Sequence, residues 1–165
     1  MRAKVEATEI DLAKMAALID GEGNISISTT KANPNFHSLQ ITVGNAQQTV
    51  LEWCRDRFGG AIYPLLYKKS PSPRRAPIKR WRIQNLEAAA MLERCLPHFI
   101  AKREQADIAI AFQTTFDVPR TRVAPALREL REQYRLQLQS LTKKGPKQAP
   151  TAKPAEPRQG SLFAR

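Results

Sequence analysis

The segment that most constrains this chain is residues 15–23, Met-Ala-Ala-Leu-Ile-Asp-Gly-Glu-Gly. This segment and the residues before it predict an apolar helix carrying Ile10, Leu12, Ala13, Ala16, Ala17 and Ile19. Several of these side chains are small, so a second helix could approach closely. The helix is predicted to stop at Asp20-Gly21, which places a second carboxylate, that of Glu22, just past its end. Such an ending could hold metal-binding carboxylates at a protein–protein seam.

The same ending is compatible in outline with a simple turn and with a calcium-binding loop. A glycine after a helix is a common C-cap, so Asp20–Gly23 could be a polar turn that leads into a strand. A calcium-binding EF-hand loop is excluded, because its first and twelfth positions would be Leu18 and Thr29, where calcium needs carboxylates.

The nonapeptide resembles the signature of the LAGLIDADG homing endonucleases, most closely from Ala16 to Gly23. The resemblance extends over roughly residues 10–115 and is specific at 15–23. It implies an α+β fold with the order αββαββα, in which a four-stranded antiparallel sheet binds double-stranded DNA. It also implies site-specific hydrolysis of phosphodiesters with a divalent metal, Mg²⁺ in the first place, with Mn²⁺ or Ca²⁺ as other occupants.

Hydrophobic periodicity predicts the same order of elements. Alternating residues indicate strands at 24–30, 38–43, 61–67 and 79–84. Helical spacing indicates helices at 49–58, 86–96, 102–112 and 122–142, and Asn85 is the predicted N-cap of the helix at 86–96. We therefore expect one endonuclease domain at 1–142, with its core at about 10–115 and a C-terminal helical extension at 116–142. The Lys-, Pro- and Ala-rich residues 143–165 predict a disordered basic tail.

The formal net charge of +12 predicts a polyanionic partner, nucleic acid before an anionic membrane. The tail holds six basic residues and one acid, which leaves +7 on residues 1–142, so the predicted domain is basic in its own right. No transmembrane stretch or signal peptide is recognisable, which predicts a cytoplasmic protein. Cys54 and Cys95 are far apart and are expected to be buried, reduced thiols.

One face of the predicted sheet is polar and is expected to contact DNA. Arg, Gln, Asn, Ser and Thr can read base edges, and the major groove admits a β-ribbon. The segment between the last two strands is basic without an acid, which favours phosphate contact. The predicted DNA-binding residues are Asn24, Ser26, Ser28, Thr30, Ser38, Gln40, Thr42, Lys68, Lys69, Arg74, Arg75, Lys79, Arg80, Arg82 and Gln84.

The family resemblance also implies roles for individual residues. Glu22 would be the metal ligand, assisted by the carbonyl of Gly21, while Asp20 would orient the helix end or the seam. Gln47 matches a residue that orders water, and Lys102 matches a lysine that supports the hydrolytic water and the scissile phosphate. A basic residue expected one turn after Gln47 is Leu51 here, for which Arg55 could compensate.

The chain carries a single copy of the motif, so one Glu22 cannot cut both strands of a duplex symmetrically. A homodimer would solve this by two-fold symmetry and would predict a nearly palindromic target. The predicted dimer interface consists of Leu12, Ala13, Ala16, Ala17 and Asp20.

The tail ends in Gln159-Gly-Ser-Leu-Phe163, which resembles the short peptide by which bacterial DNA-processing proteins bind the replicative sliding clamp. Gln159, Leu162 and Phe163 would be the contacts, and a bacterial or phage host would follow, with an organelle as the other possibility. Chance is the competing explanation for so short a pattern.

The leading hypothesis is a homodimeric, Mg²⁺-dependent homing endonuclease encoded within an intron or other mobile element. The chief alternative is a catalytically inactive binder on the same fold, either an RNA maturase or a transcription regulator. A basic structural protein would explain neither the acidic helix end nor the patterned sheet.

Overall fold

A computed structural model describes residues 6–29, 36–64, 79–116 and 124–142. In these ranges the elements follow the order α1β1β2α2β3β4α3α4α5, as the sequence predicted, and a short 3₁₀ turn at Leu96–His98 separates α3 from α4. Their bounds are α1 Glu9–Glu22, β1 Gly23–Thr29, β2 His37–Asn45, α2 Gln48–Phe58, β3 Ala61–Pro64, β4 Lys79–Gln84, α3 Asn85–Cys95, α4 Arg103–Thr114 and α5 Pro125–Thr142.

The four strands form one antiparallel sheet in the order β1-β2-β4-β3. Because successive side chains point to opposite faces, alternate residues of each strand enter the core. The buried set from the three longest strands is Ile25, Ile27, Leu39, Ile41, Val43, Trp81 and Ile83. The predicted alternation is therefore confirmed, and the residues between these buried positions form the opposite, polar face.

The helices pack on the apolar face of the sheet and complete a single core. Helix α1 contributes Met15, Ala16 and Ile19, each without exposed surface, and α4 contributes Phe112. The Trp81 indole is also fully buried, and its Nε1 donates to the carbonyl of Gly59 at 2.8 Å, so its one polar atom is satisfied.

Helix α1 begins with a capping box and ends later than predicted. The Thr8 hydroxyl accepts from the backbone N of Asp11, and the Asp11 carboxylate accepts from the backbone N of Thr8. The helix continues through Gly21, so Glu22 is its last residue rather than the first beyond it. Gly23 is its C-cap, and a Cβ added there would lie 2.6 Å from the Cα of Ile19.

The predicted cap of α3 is wrong. Asn85 is the first residue of the helix, with φ of +50°, and Gln84 occupies the cap position without a side-chain hydrogen bond. The Asn85 Oδ1 instead accepts from the Ser38 hydroxyl at 3.0 Å, which joins α3 to β2.

Helix α5 packs against α4 and β1, as its apolar stripe predicted, but only part of that stripe is buried. Leu138 is almost fully buried, whereas Leu130 and Leu141 are each 38% exposed. The Glu132 carboxylate lies 2.9 Å from Nε2 of the buried His37, so a polar contact also holds α5 to the sheet.

Cys54 and Cys95 are buried free thiols, as expected from their spacing. Across the described helices, none is long and apolar enough to cross a membrane.

Candidate active site

The Glu22 carboxylate lies at the end of α1, beside the last residue of β2. Glu22 is exposed, and its Oε2 accepts a hydrogen bond of 2.7 Å from Nδ2 of Asn45, the last residue of β2. The Asn45 Oδ1 in turn accepts from the backbone N of Gln47 at 2.7 Å. One side-chain amide therefore connects the end of α1 with the start of α2.

Lys102 lies beneath the same helix end and donates to three backbone carbonyls. Its Nζ is 2.6 Å from the oxygen of Ile19, 3.0 Å from that of Asp20 and 2.8 Å from that of Gly23. The carbonyls at a helix C-terminus lack intrahelical partners and carry partial negative charge, so an ammonium satisfies and neutralises them. The arrangement makes Lys102 a C-terminal cap supplied from a distant part of the chain.

Asp20 makes the reciprocal contacts. Its two carboxylate oxygens accept from the backbone N of Ile100, Ala101 and Lys102 at 2.8, 3.2 and 2.9 Å. Asp20 thus holds the entry to α4, while Lys102 holds the exit of α1. Burial lowers the pKa of the Lys102 ammonium, and the nearby Asp20 carboxylate opposes that shift.

The start of α2 differs in part from the expected solvent network. Gln47 is exposed and caps the N-terminus of the helix. Leu51 has no exposed surface and belongs to the core, so its position faces inward and not toward Glu22. The Arg55 guanidinium pairs with its neighbour Asp56, with Nε 2.8 Å from Oδ1, and makes no described contact with the Glu22 carboxylate.

A divalent cation requires hard oxygen ligands, and the described chain supplies two candidates of that kind. The Glu22 carboxylate uses Oε2 for Asn45, which leaves Oε1, and the Gly21 carbonyl is not among the acceptors of Lys102. The described residues contain no cluster of three or more His, Cys, Asp or Glu side chains suited to a metal. The donors present therefore fit Mg²⁺ in chemistry, but a cation would need further ligands besides these two.

The polar face of the sheet holds most of the predicted DNA contacts within the described residues. At least partly exposed on this face are Asn24, Ser26, Ser28, Gln40, Thr42, Arg80, Arg82 and Gln84. Lys79 is also partly exposed, but it is on the side of β4 that carries Trp81, and its Nζ donates to Oε1 of Gln48 at 2.6 Å. Ser38 is an exception: it is 7% exposed and its hydroxyl is used by Asn85, so its predicted contact with DNA is not supported. The Gln40 amide donates to the Ser28 hydroxyl at 2.7 Å, which fixes its orientation.

Two functional candidates, Asn45 and Tyr63, were missed from the sequence. Asn45 was overlooked because a single Asn at the end of a strand carries no motif. Tyr63 of β3 lies opposite Arg80, and the Arg82 guanidinium stacks 4.4 Å from the centre of its ring. The signal for Tyr63 was an aromatic residue on the short strand that precedes the basic segment.

Two of the residues predicted for a dimer interface are buried within this chain. Leu12 is 6% exposed and Ala16 is fully buried within this chain's own core, so neither can offer surface to a partner. Ala13 is half-buried and Ala17 is exposed, and Gly21 continues the same face with open space where a Cβ would stand.

Other predicted residues lie outside the described ranges. These are Thr30, Lys68, Lys69, Arg74, Arg75, Gln159, Leu162 and Phe163, together with the tail at 143–165.

Comparison with solved structures identifies the same architecture in DNA-bound proteins. The homing endonuclease I-CvuI in complex with its target superposes with a TM-score of 0.66 at 15% identity, over 86% of this chain and 87% of that one. I-CvuI with the I-CreI target in 2 mM Mg, with the DNA not cleaved, gives 0.65 at 17% over the same shares. The archaeal intron-encoded homing endonuclease I-Vdi141I, complexed with DNA, gives 0.65 at 14% identity over 86% and 89%.

No protein-family model matches the sequence, and no curated protein matches it either. The fold is therefore established by structure, and at these identities the likeness concerns the fold alone. The architecture is α+β with one four-stranded antiparallel sheet, and residues 15–23 lie at the end of its first helix, as the sequence predicted. The chain has the fold of the LAGLIDADG homing endonucleases.

Proposed function

We propose that this chain is one protomer of a homodimeric, site-specific DNA endonuclease that uses a divalent metal. The observation that carries this proposal is the position of the Glu22 carboxylate. It is exposed at the end of a helix whose outer face carries small residues, and it is hydrogen-bonded to Asn45 at the end of the central strand β2.

The outer face of α1 supports self-association. Ala13, Ala17 and Gly21 are spaced four residues apart, so they line one side of the helix. Small residues on that side allow two helix axes to approach closely. A two-fold axis beside this stripe would bring two Glu22 carboxylates together and match them to the two strands of a near-palindromic duplex.

Sedimentation equilibrium tests this association directly. Ala17→Glu would place like charges next to each other across the two-fold axis, so we expect it to give monomers. Ala90→Glu on the exposed side of α3 introduces the same charge elsewhere and should leave the dimer intact. Equal behaviour of the two variants would exclude α1 as the interface.

The polar sheet face supports DNA as the substrate. Arg80 and Arg82 project from β4, and Arg82 is held by its stacking on Tyr63, so its guanidinium is ordered before DNA arrives. A planar guanidinium can pair with guanine in the major groove. The net charge of +12 adds a phosphate attraction that should weaken steeply with salt.

The helix end supports phosphodiester hydrolysis. Mg²⁺, when bound, would shield the phosphate charge and lower the pKa of a water molecule. Glu22 and the Gly21 carbonyl would hold it, together with phosphate oxygens and the second copy's motif. Exposed Gln47 would order water beside it, while Lys102 would fix the helix end and add positive charge near the phosphate.

The test is Mg²⁺-dependent cleavage of a pool of randomised linear duplexes, with cut ends captured by ligation. We expect wild type to cut a nearly palindromic subset, and Glu22→Gln to bind that subset without cutting it. Glu104→Gln, an exposed carboxamide change at the start of α4, is the matched control and should cut normally. Tight binding without cleavage by wild type would support the inactive binder, whether maturase or regulator, instead.

The clamp peptide at residues 159–163 is a separate proposal that rests on the sequence alone. Deleting these residues should abolish retention of the protein on immobilised bacterial sliding clamp and leave DNA cleavage intact. Unchanged retention would reject the proposal.

A further inference from the structure

Asn45, at the end of β2, connects the end of α1 with the start of α2. Its Nδ2 donates to Glu22 Oε2 at 2.7 Å, and its Oδ1 accepts from the backbone N of Gln47 at 2.7 Å. Both polar ends of the amide are therefore used, and each contacts a different residue of the candidate site. The backbone of Asn45 is itself held, because it pairs with Lys79 at the end of the β2–β4 ladder.

The two oxygens of the Glu22 carboxylate differ in their hydrogen bonding. Oε2 is engaged by Asn45, whereas Oε1 makes no hydrogen bond with the described residues. An amide donor is neutral, so it fixes the carboxylate without cancelling the charge that attracts a cation. Hydrogen bonds that orient metal-binding side chains typically matter 10- to 100-fold in metal affinity.

The identity of Glu22 makes such a contact necessary. A glutamate has one more rotatable bond than an aspartate, so its carboxylate samples more positions at the exposed helix end. A donor on a rigid strand removes that freedom. The Asn45 side chain also fixes the backbone of Gln47 relative to Glu22, since both residues are hydrogen-bonded to it.

We propose that Asn45 is a positioning residue that orients the Glu22 carboxylate, so that Oε1 faces a divalent cation, and that it fixes the spacing between Glu22 and Gln47. This inference rests on the proposed function, because it concerns the metal ligand of that same site. Asn45 does not itself contact the cation or the phosphate.

The test uses Mn²⁺ as the probe, with its binding to the full chain measured by electron paramagnetic resonance, with and without the selected duplex. Asn45→Ala removes both contacts. Asn45→Ser keeps an oxygen that can accept from the backbone N of Gln47 but loses the donor to Glu22. We expect both variants to bind Mn²⁺ at least tenfold more weakly and to need more Mg²⁺ for half-maximal cleavage. Binding of DNA in EDTA should change less than about twofold.

A double-mutant cycle separates positioning from general structural damage. In a Glu22→Asp background the carboxylate is one methylene shorter and lies beyond the reach of Asn45 Nδ2. Asn45→Ala should therefore cost little further Mn²⁺ affinity there. An equal loss in both backgrounds, or a loss below threefold in the Glu22 background, would overturn the proposal.

Failure of the proposed function gives a different pattern. A wild-type chain that binds Mn²⁺ but cuts no DNA would reject the endonuclease, while the cycle would still decide the role of Asn45. A wild-type chain that binds no Mn²⁺, with or without DNA, would overturn the role of Asn45.

Discussion

Replacing Lys102 by Met tests whether the ammonium holds the end of α1 or serves only the phosphate. The variant keeps an unbranched apolar stem of similar length and removes the three hydrogen bonds to the carbonyls of Ile19, Asp20 and Gly23. A hydrogen bond to a charged group contributes about 1.5–3 kcal/mol net. The three contacts share one partly buried ammonium, and water can replace some of them. We therefore expect a loss of about 3 kcal/mol in the free energy of unfolding.

The assay is urea unfolding followed by tryptophan fluorescence. The matched control is Arg103→Met, the next residue along the chain, which removes the same charge from an exposed side chain. In a domain of this size, the expected loss corresponds to a fall of about 10 °C in the melting temperature. If Lys102→Met destabilised the protein no more than Arg103→Met, the helix-end contacts would not stabilise the fold, and the reasoning would fail.

Three further predictions follow from described contacts. Gly23→Ala should lower the free energy of unfolding by about 3 kcal/mol, because the added Cβ would meet the backbone of the preceding turn at 2.6 Å. Gly21→Ala has open space at the added Cβ, so it should change the free energy of unfolding by less than about 1 kcal/mol. The neighbouring arginine and histidine lower the pKa of Glu132 to about 2 from 4.5, so its stabilisation is present above pH 4.5 and is lost as the pH falls toward 2. Its side chain is 41% exposed, so solvent screening should reduce the effect of Glu132→Gln to about 1 kcal/mol at pH 7 and almost nothing at pH 2. Burial raises the pKa of Cys54 and of Cys95 to about 12, so both thiols should react with Ellman's reagent at pH 8 only after unfolding.

Each of these predictions has a clear contrary result. Equal stability of the two glycine variants would refute the close approach of the helix end and the strand. A pH-independent effect of Glu132→Gln would mean that its ion pair does not form in solution. Rapid labelling of either thiol in the native protein would contradict its burial.

The strands and most helices were predictable, because they depend on local periodicity. Trp81 and Ile83 alternate with Arg80 and Arg82, and that alternation alone assigned the two faces of β4 correctly. The end of α1 was not predictable in this way, because glycine usually marks a stop. Here the helix continues through Gly21, and distant contacts from Lys102 support its last turn.

Of the candidate site, only residues that stand out by their own chemistry within a motif could be predicted from the sequence. Glu22 was recognisable as an acid within a motif, but the orientation of its carboxylate depends on Asn45, which is 23 positions away. The interface residues Leu12 and Ala16 were misassigned because an apolar helix does not reveal which of its sides faces its own core. Sequence spacing shows which residues share one face of a helix, but the tertiary structure determines which part of the protein covers that face.

The contacts of Lys102 have a consequence for the order of events during synthesis. Lys102 is separated from Gly23 by 79 positions, so the ribosome makes the motif helix long before its anchor. At ordinary elongation rates that interval is roughly 4 to 16 s. Throughout it, the nascent chain carries Glu22 on a helix whose last carbonyls have only water for partners. The helix end that carries the acid gains its cap only when Lys102 docks, so a chain truncated before that point would carry the motif without this anchor.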